Sequence, residues 1–176
     1  MSKPAKKASG EEAYADFMSR AYTMELEAIE RYAQFADALD THNNPEVAGL
    51  FRKLSAIESL HAKRILAEMR WPSLPALPAA YAWESVEGPE TAPFDAVHYL
   101  MQPYHALEIA LRCEQQARKY YEDIAAGSAP KRVKAAAKEM AAEEASHVAL
   151  IQDWMKKVPQ PAPGWDEDPD PPRMNE

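Results

Sequence analysis

Two short segments of the chain pair a glutamate with a histidine three residues later. They are Glu58-Ser-Leu-His61 and Glu144-Ala-Ser-His147. Because positions i and i+3 lie on one face of an α-helix, about one turn apart, each segment would point a carboxylate and an imidazole in the same direction. Carboxylate oxygens and imidazole nitrogens are ligands of iron, manganese and zinc. The segments are therefore candidate parts of a metal site.

A second motif precedes each of these segments. Glu25–Tyr32 and Glu114–Tyr121 both read Glu-x-x-Ala-x-x-x-Tyr. The copies are offset by 89 residues for this motif and by 86 residues for Glu-x-x-His. The chain therefore reads as two copies of one helical hairpin. Such a repeat predicts pseudo-twofold symmetry with the site near the axis.

The repeat brings four glutamates and two histidines together as candidate ligands. Four carboxylates facing a bundle core could not all stay charged and unpaired, because burying an unpaired ion is very costly. Two divalent cations would neutralise the four charges, and the small side chains of Ala28 and Ala117 could leave room beside them. The predicted ligands are Glu25, Glu58, His61, Glu114, Glu144 and His147.

The competing interpretation is that these glutamates are solvated residues on amphipathic helices. The helical phase argues against it, since Glu25 falls on the apolar stripe of Met24 and Ala28. Two smaller questions stay open. Glu143 is a rival of Glu144, because i to i+4 spacing also reaches His147. Tyr32 and Tyr121 could hydrogen-bond a ligand glutamate or could only fill the core.

Four long helices are needed to position these residues. Apolar periodicity and the placement of proline predict them with a long connection, 70–102, between the second and the third helix. A short helix is expected within Phe94–Met101. The fold class is therefore all-α, a four-helix bundle with one long crossover between helices 2 and 3. The predicted helices cover 11–39, 45–69, 103–126 and 130–157.

Both ends of the chain are expected to lie outside the bundle of residues 11–157. Residues 1–10 form a short basic tail predicted to be disordered, and residues 158–176 form a proline-rich acidic tail whose Trp165 is expected to dock on the bundle or on a neighbour. The net charge of -8 lacks the basic character of a nucleic-acid-binding protein. No signal peptide and no apolar run long enough for a membrane are visible, so we expect a cytoplasmic protein.

At the two pairs of motifs the sequence resembles the rubrerythrin branch of the ferritin-like superfamily, over about residues 11–157. The resemblance implies a ferritin-like bundle holding two iron ions, with manganese or zinc as alternatives. By position it implies that Glu25 and Glu114 are terminal ligands, that Glu58 and Glu144 bridge the metals, and that His61 and His147 each bind one metal.

The chain departs from rubrerythrins in two ways. Rubrerythrin peroxidases usually carry a rubredoxin domain with paired Cys-x-x-Cys motifs, whereas this chain has one cysteine, Cys113. Electrons would therefore come from a separate donor such as a rubredoxin-like protein. Rubrerythrins also often carry a further carboxylate three residues after the first glutamate of helix 3, where this chain has Ala117. The six-residue set is thus closer to that of bacterioferritin-like sites.

The resemblance suggests a di-iron oxidoreductase that reduces hydrogen peroxide or oxygen, and it makes a homodimer plausible. Two alternatives are compatible with the same residues. One is an iron-handling protein that binds and oxidises ferrous iron without a peroxidase role. The other is a structural or interaction protein in which the metal only clamps the fold.

Overall fold

The structure, a computed structural model, describes residues 10–72 and 88–167. Within these ranges the regular elements are four α-helices and one 3-10 turn, with no strand. The predicted helices are present with ends shifted by at most two residues, but the short helix predicted within Phe94–Met101 is limited to a 3-10 turn at Phe94–Ala96. The helices are α1 (Gly10–Thr41), α2 (Pro45–Met69), α3 (Pro103–Ala126) and α4 (Lys131–Met155).

Local sequence signals fix the starts of α2 and α3. Asn44 caps α2, since its Oδ1 accepts a hydrogen bond from the backbone N–H of Val47 at 3.4 Å, and Pro45 follows at the first helical position. At α3, the Nδ1 atom of His105 accepts from the backbone N–H of Gln102 at 2.9 Å. His105 thus acts as a capping residue.

The core consists of two apolar layers, one toward each end of the bundle. Layer A consists of buried residues from the first half of α1, the end of α2, the second half of α3 and the first half of α4. Layer B takes the complementary halves. The buried residues of layer A include Tyr14, Phe17, Met18, Met24, Ile65, Tyr121, Val133 and Ala137. Those of layer B include Tyr32, Phe35, Leu39, Phe51, Leu54, Leu107, Ile109 and Ile151.

The layers show the direction of each helix. Along the chain, α1 and α4 run from layer A to layer B, whereas α2 and α3 run from layer B to layer A. The connection after α2 must therefore return along the whole bundle before α3 begins, as predicted for a single long crossover. Its later part, which contains Ala92 and Met101, belongs to layer B. This is the ferritin-like arrangement of four helices.

The segment after α4 folds back onto the bundle. Trp165 is partly buried against layer B, and its ring centroid lies 3.7 Å from that of His105 and 5.5 Å from that of His98. Docking of Trp165, expected from the sequence, is confirmed. The predicted tail residues 1–9 and 168–176 lie outside the described residues.

Candidate metal centre

Four buried glutamates, one from each helix, lie where layers A and B meet. On all four helices the glutamate separates the residues of one apolar layer from those of the other. None of them is a solvated surface residue, so the competing interpretation drawn from the sequence is wrong. The exposed fractions are 4% for Glu25, 0% for Glu58, 1% for Glu114 and 4% for Glu144.

The first hairpin contributes one half of the cluster. Glu25 of α1 meets Glu58 and His61 of α2. The Nδ1 atom of His61 lies 3.0 Å from Glu58 Oε2 and 3.6 Å from Glu25 Oε2. Each residue offers a ligand atom within 4.8 Å of those of the other two, which is compact enough to hold one metal ion.

The second hairpin repeats this arrangement. Glu114 of α3 meets Glu144 and His147 of α4. The Nδ1 atom of His147 lies 3.1 Å from Glu114 Oε2 and 3.0 Å from Glu144 Oε2. These three residues also offer ligand atoms within 4.8 Å of one another. The half-sites therefore match in composition and in the use of Nδ1.

The two half-sites adjoin each other. The rings of His61 and His147 stack in parallel, with centroids 4.5 Å apart and planes inclined by 5°. Across the hairpins, ligand atoms of Glu58 and Glu114 also lie within 4.8 Å. The two triads, alike in composition, therefore lie next to each other, as the hairpin repeat predicts.

The electrostatics of the cluster favour a cation. Burial raises the pKa of Glu25 to about 8, with the nearby His61 opposing the rise and the neighbouring Glu58 adding to it. Burial likewise raises the pKa of Glu144 to about 7. For both histidines burial disfavours the charged form, but hydrogen bonds to the adjacent carboxylates outweigh it and raise the pKa to about 10. The carboxylates therefore attract positive charge, here protons and in the loaded protein metal ions.

Unsatisfied oxygens show that the residues fit a metal. Glu25 Oε2 and Glu58 Oε1 are buried and have no hydrogen-bond partner in the described residues. Leaving a buried carboxylate oxygen unpaired is costly, since nothing replaces the lost hydration. No lysine or arginine of the described ranges pairs with these glutamates. Two divalent cations would supply the missing partners.

The structure decides between the rival glutamates of α4. Glu144 lies in the cluster, whereas Glu143 is partly exposed and forms an ion pair with Arg64 on the surface. The exposed fraction of its side chain is 37%, against 5% for Glu144. The repeat of the motif therefore identified the inward-facing residue correctly.

Tyr32 and Tyr121 are buried beside the cluster. Burial and the neighbouring carboxylates raise the pKa of both phenols well above the ordinary value. Neither hydroxyl hydrogen-bonds a carboxylate among residues 10–72 and 88–167. The hydrogen bond to a ligand glutamate that the sequence left open is therefore not formed, and both tyrosines fill the core with protonated hydroxyls.

One carboxylate of the site was missed by sequence reasoning. Glu90 lies in the crossover, is 1% exposed, and offers an oxygen within 4.8 Å of ligand atoms of Glu58 and Glu114. Burial and the four helical glutamates raise its pKa well above the usual range. The buried cluster therefore contains one carboxylate in addition to the six residues predicted from the sequence.

No sequence signal singles out Glu90. It follows Glu84 and Glu87 in a stretch rich in proline and without helical periodicity. Periodicity assigns faces only to regular elements, so it gave no reason to prefer one of the three.

Comparison with known proteins agrees with this geometry. The family model described as Rubrerythrin matches residues 16–84 and 105–163. An uncharacterised conserved protein from Magnetospirillum magnetotacticum MS-1, solved as a crystal structure, is 38% identical, with 84% of this chain and 97% of that chain covered and a TM-score of 0.62. No curated protein matches. Within the described ranges no helix has the length and apolar character required to cross a membrane.

Proposed function

This chain belongs to the rubrerythrin family, and from that premise we propose that it is a di-iron oxidoreductase that reduces hydrogen peroxide or oxygen. The observation that carries the proposal is the pair of matching triads, each of two glutamates and one histidine, around one buried volume. Bound ferrous iron would supply the two electrons that, with two protons, convert one peroxide to two water molecules.

Each helical hairpin would supply the terminal ligands of one iron ion. Glu25 and His61 would hold one iron, and Glu114 and His147 the other. Glu58 and Glu144 would bridge the metals. The position of Glu58 supports this role, because it lies near ligand atoms of both its own triad and Glu114. Oxygen and imidazole ligands without thiolate suit iron and manganese, and zinc can also bind them.

The surrounding residues would control water and protons. The apolar layers on either side keep bulk water from the carboxylates, which strengthens electrostatic interactions at the site. The protonated hydroxyls of Tyr32 and Tyr121 lie near the carboxylates, and neither donates a hydrogen bond to a carboxylate among the described residues. We propose that they donate hydrogen bonds to the oxygen atoms of the peroxide or oxygen substrate.

Electrons must return to the site after each turnover. The chain has a single cysteine, Cys113, and its side chain is buried. It therefore cannot build a four-cysteine iron centre of its own. A separate reduced protein of the rubredoxin type is the proposed donor.

Metal loading followed by peroxide addition tests the proposal. The metal-free protein is reloaded with ferrous iron under anaerobic conditions, and iron per chain and ferric absorbance are measured before and after peroxide. We expect two iron ions per chain, rapid oxidation, and repeated peroxide consumption when a reductant is supplied. Glu58→Ala should lose both iron and turnover.

Other outcomes identify the alternative functions. Oxidation and retention of iron without repeated peroxide consumption would indicate an iron-handling ferroxidase. Two bound metals with no redox response, but with a higher thermal midpoint, would indicate a structural clamp. Absence of bound metal in the unmodified protein would overturn the assignment of the site.

A further inference from the structure

We propose that Glu90 is a seventh protein ligand of the di-metal site, supplied by the crossover, and that metal binding thereby fastens the crossover to the bundle. The inference deepens the proposed function, because it concerns the same site. The role of Glu90 requires metal binding but no redox chemistry. An experiment can therefore contradict the proposed function without contradicting the role of Glu90.

The first support is the state of the Glu90 side chain. Its exposed fraction is 1%, and neither carboxylate oxygen has a hydrogen-bond partner among the described residues. A carboxylate without any partner is among the least favourable groups to bury in a protein. Glu90 is therefore the residue of the site that is most poorly satisfied without a metal.

The second support is the direction in which the Glu90 side chain points. An oxygen of Glu90 lies within 4.8 Å of ligand atoms of Glu58 and Glu114, one from each hairpin. The charges that act on Glu90 are those of the glutamates on all four helices. The side chain thus points into the common volume of the two half-sites, where like charges repel it unless a cation lies between them.

The third support is the backbone that holds Glu90 in place. The backbone N–H of Thr91 donates to the carbonyl of Gly88 at 3.0 Å, which closes a tight turn with Pro89 and Glu90 at its centre. Proline is favoured at the second position of such turns, because its φ angle is already fixed. The turn thus fixes the local backbone from which the Glu90 side chain projects.

The crossover is anchored to the bundle just after this turn. The guanidinium of Arg31 on α1 donates to the carbonyl of Ala92, and Ala92 itself is buried in layer B. These contacts bring Glu90 to the site with little freedom for it to withdraw. A ligand held in this way binds metal without a large loss of conformational entropy.

The test is metal binding to Glu90→Gln, with Glu139→Gln as the matched control on an exposed part of α4. Glutamine keeps the size of the side chain and resembles a protonated carboxyl group, but it is a much poorer metal ligand. Binding of Co²⁺ and Zn²⁺ to metal-free protein is measured by titration, and the visible spectrum of Co²⁺ reports its coordination. Neither ion needs to change oxidation state.

We expect Glu90→Gln to bind Co²⁺ about 10- to 100-fold more weakly than the unmodified protein, the range found when groups supporting a metal site are removed, and to show an altered Co²⁺ spectrum. Glu139→Gln should match the unmodified protein. Affinity and spectrum unchanged in Glu90→Gln would overturn the proposal and leave Glu90 as a buried, protonated carboxyl group.

A second measurement follows the crossover itself. Amide hydrogen exchange of residues 88–97 should slow when Zn²⁺ binds to the unmodified protein, but not when it binds to Glu90→Gln. Equal slowing in both proteins would show that metal does not act on the crossover through Glu90. If the unmodified protein binds metal but does not consume peroxide, the proposed function fails while this inference stands; if it binds no metal, both fail.

Discussion

At the scale of single residues, the cluster distinguishes glutamates that are neighbours in sequence. Glu143 and Glu144 differ by one position on α4, yet one faces Arg64 and the other faces His147. A shift of one position rotates a side chain by about 100° around the helix. The position of a carboxylate on the helix therefore decides whether it joins the buried cluster or lies at the surface.

This difference gives a prediction about metal content. Glu144→Ala should bind substantially less iron than the unmodified protein, because it removes a carboxylate proposed to bridge the metals. Glu143→Ala should retain full metal content and lose at most about 1 kcal/mol of stability, the usual range for an exposed ion pair. Metal analysis of both variants after identical loading checks the prediction. Equal loss in both would contradict the assignment of Glu144.

At the scale of elements, the helices bring four glutamates and two histidines together, and the crossover places Glu90 beside them. The layers hold α1 to α4 on both sides of the carboxylates, so the ligand positions are set by packing rather than by the metal. In the described part of the crossover, regular structure is limited to the 3-10 turn Phe94–Ala96, although Ala92 and Met101 belong to layer B. This part of the crossover is held by specific contacts, of which those of Asn44 and Arg31 are the clearest.

Asn44 links α2 to the crossover and offers a test of this view. Its Oδ1 caps α2, and its Nδ2 donates to the carbonyl of Met101 at 2.6 Å. Asn44→Ala removes both bonds and should lower the free energy of unfolding by about 1 to 2 kcal/mol. Chemical denaturation measures this change.

Asn44→Ser is the matched control, since its hydroxyl oxygen can still cap α2 while the amide donor to Met101 is lost. It should therefore lose less stability than Asn44→Ala. Metal content should be unchanged in both variants, because neither bond involves a ligand. Identical unfolding midpoints for the three proteins would show that Asn44 holds neither α2 nor the crossover.

At the scale of the whole molecule, metal binding and folding are linked through protons. The pKa of Glu25 is raised to about 8 and that of Glu144 to about 7, each mainly by burial. The pKa values of His61 and His147 are raised to about 10, against burial, by hydrogen bonds to carboxylates. All four groups keep protons in the folded, metal-free protein that they lose in the unfolded chain.

The sign of the effect follows from this difference. Where the folded state binds more protons than the unfolded state, the free energy of unfolding falls as pH rises. For Glu25 and Glu144 the fall begins near their ordinary pKa of 4.5 and ends near pH 8 and pH 7, respectively. For the histidines it extends from 6.5 to about 10. Bound metal would replace these protons, so the free energy of unfolding of the loaded protein should not fall in this way as pH rises.

We therefore expect metal-free protein to melt at a lower temperature at about pH 8.5 than at about pH 6, and the increase on Zn²⁺ loading to be larger at the higher pH. Thermal unfolding of both forms at the two pH values checks this. A constant increase with pH would mean that metal does not displace protons from these residues.

The sequence by itself determined the helices, the hairpin repeat and the six helical residues that form the cluster. These depend on local geometry, since the helical period places Glu58 and His61 on one face wherever the helix lies. The burial of the glutamates between two apolar layers, and the choice of Glu144 over Glu143, follow once the helices pack.

Only the tertiary structure decided the part played by Glu90. It belongs to a segment without a repeating pattern, and its neighbours Glu58 and Glu114 are distant in sequence. Their proximity depends on where the described part of the crossover lies against the bundle, and the contact of Arg31 with Ala92 is one of those that hold it there. A carboxylate in an irregular segment has no face that sequence can assign, and only the folded chain shows what it meets.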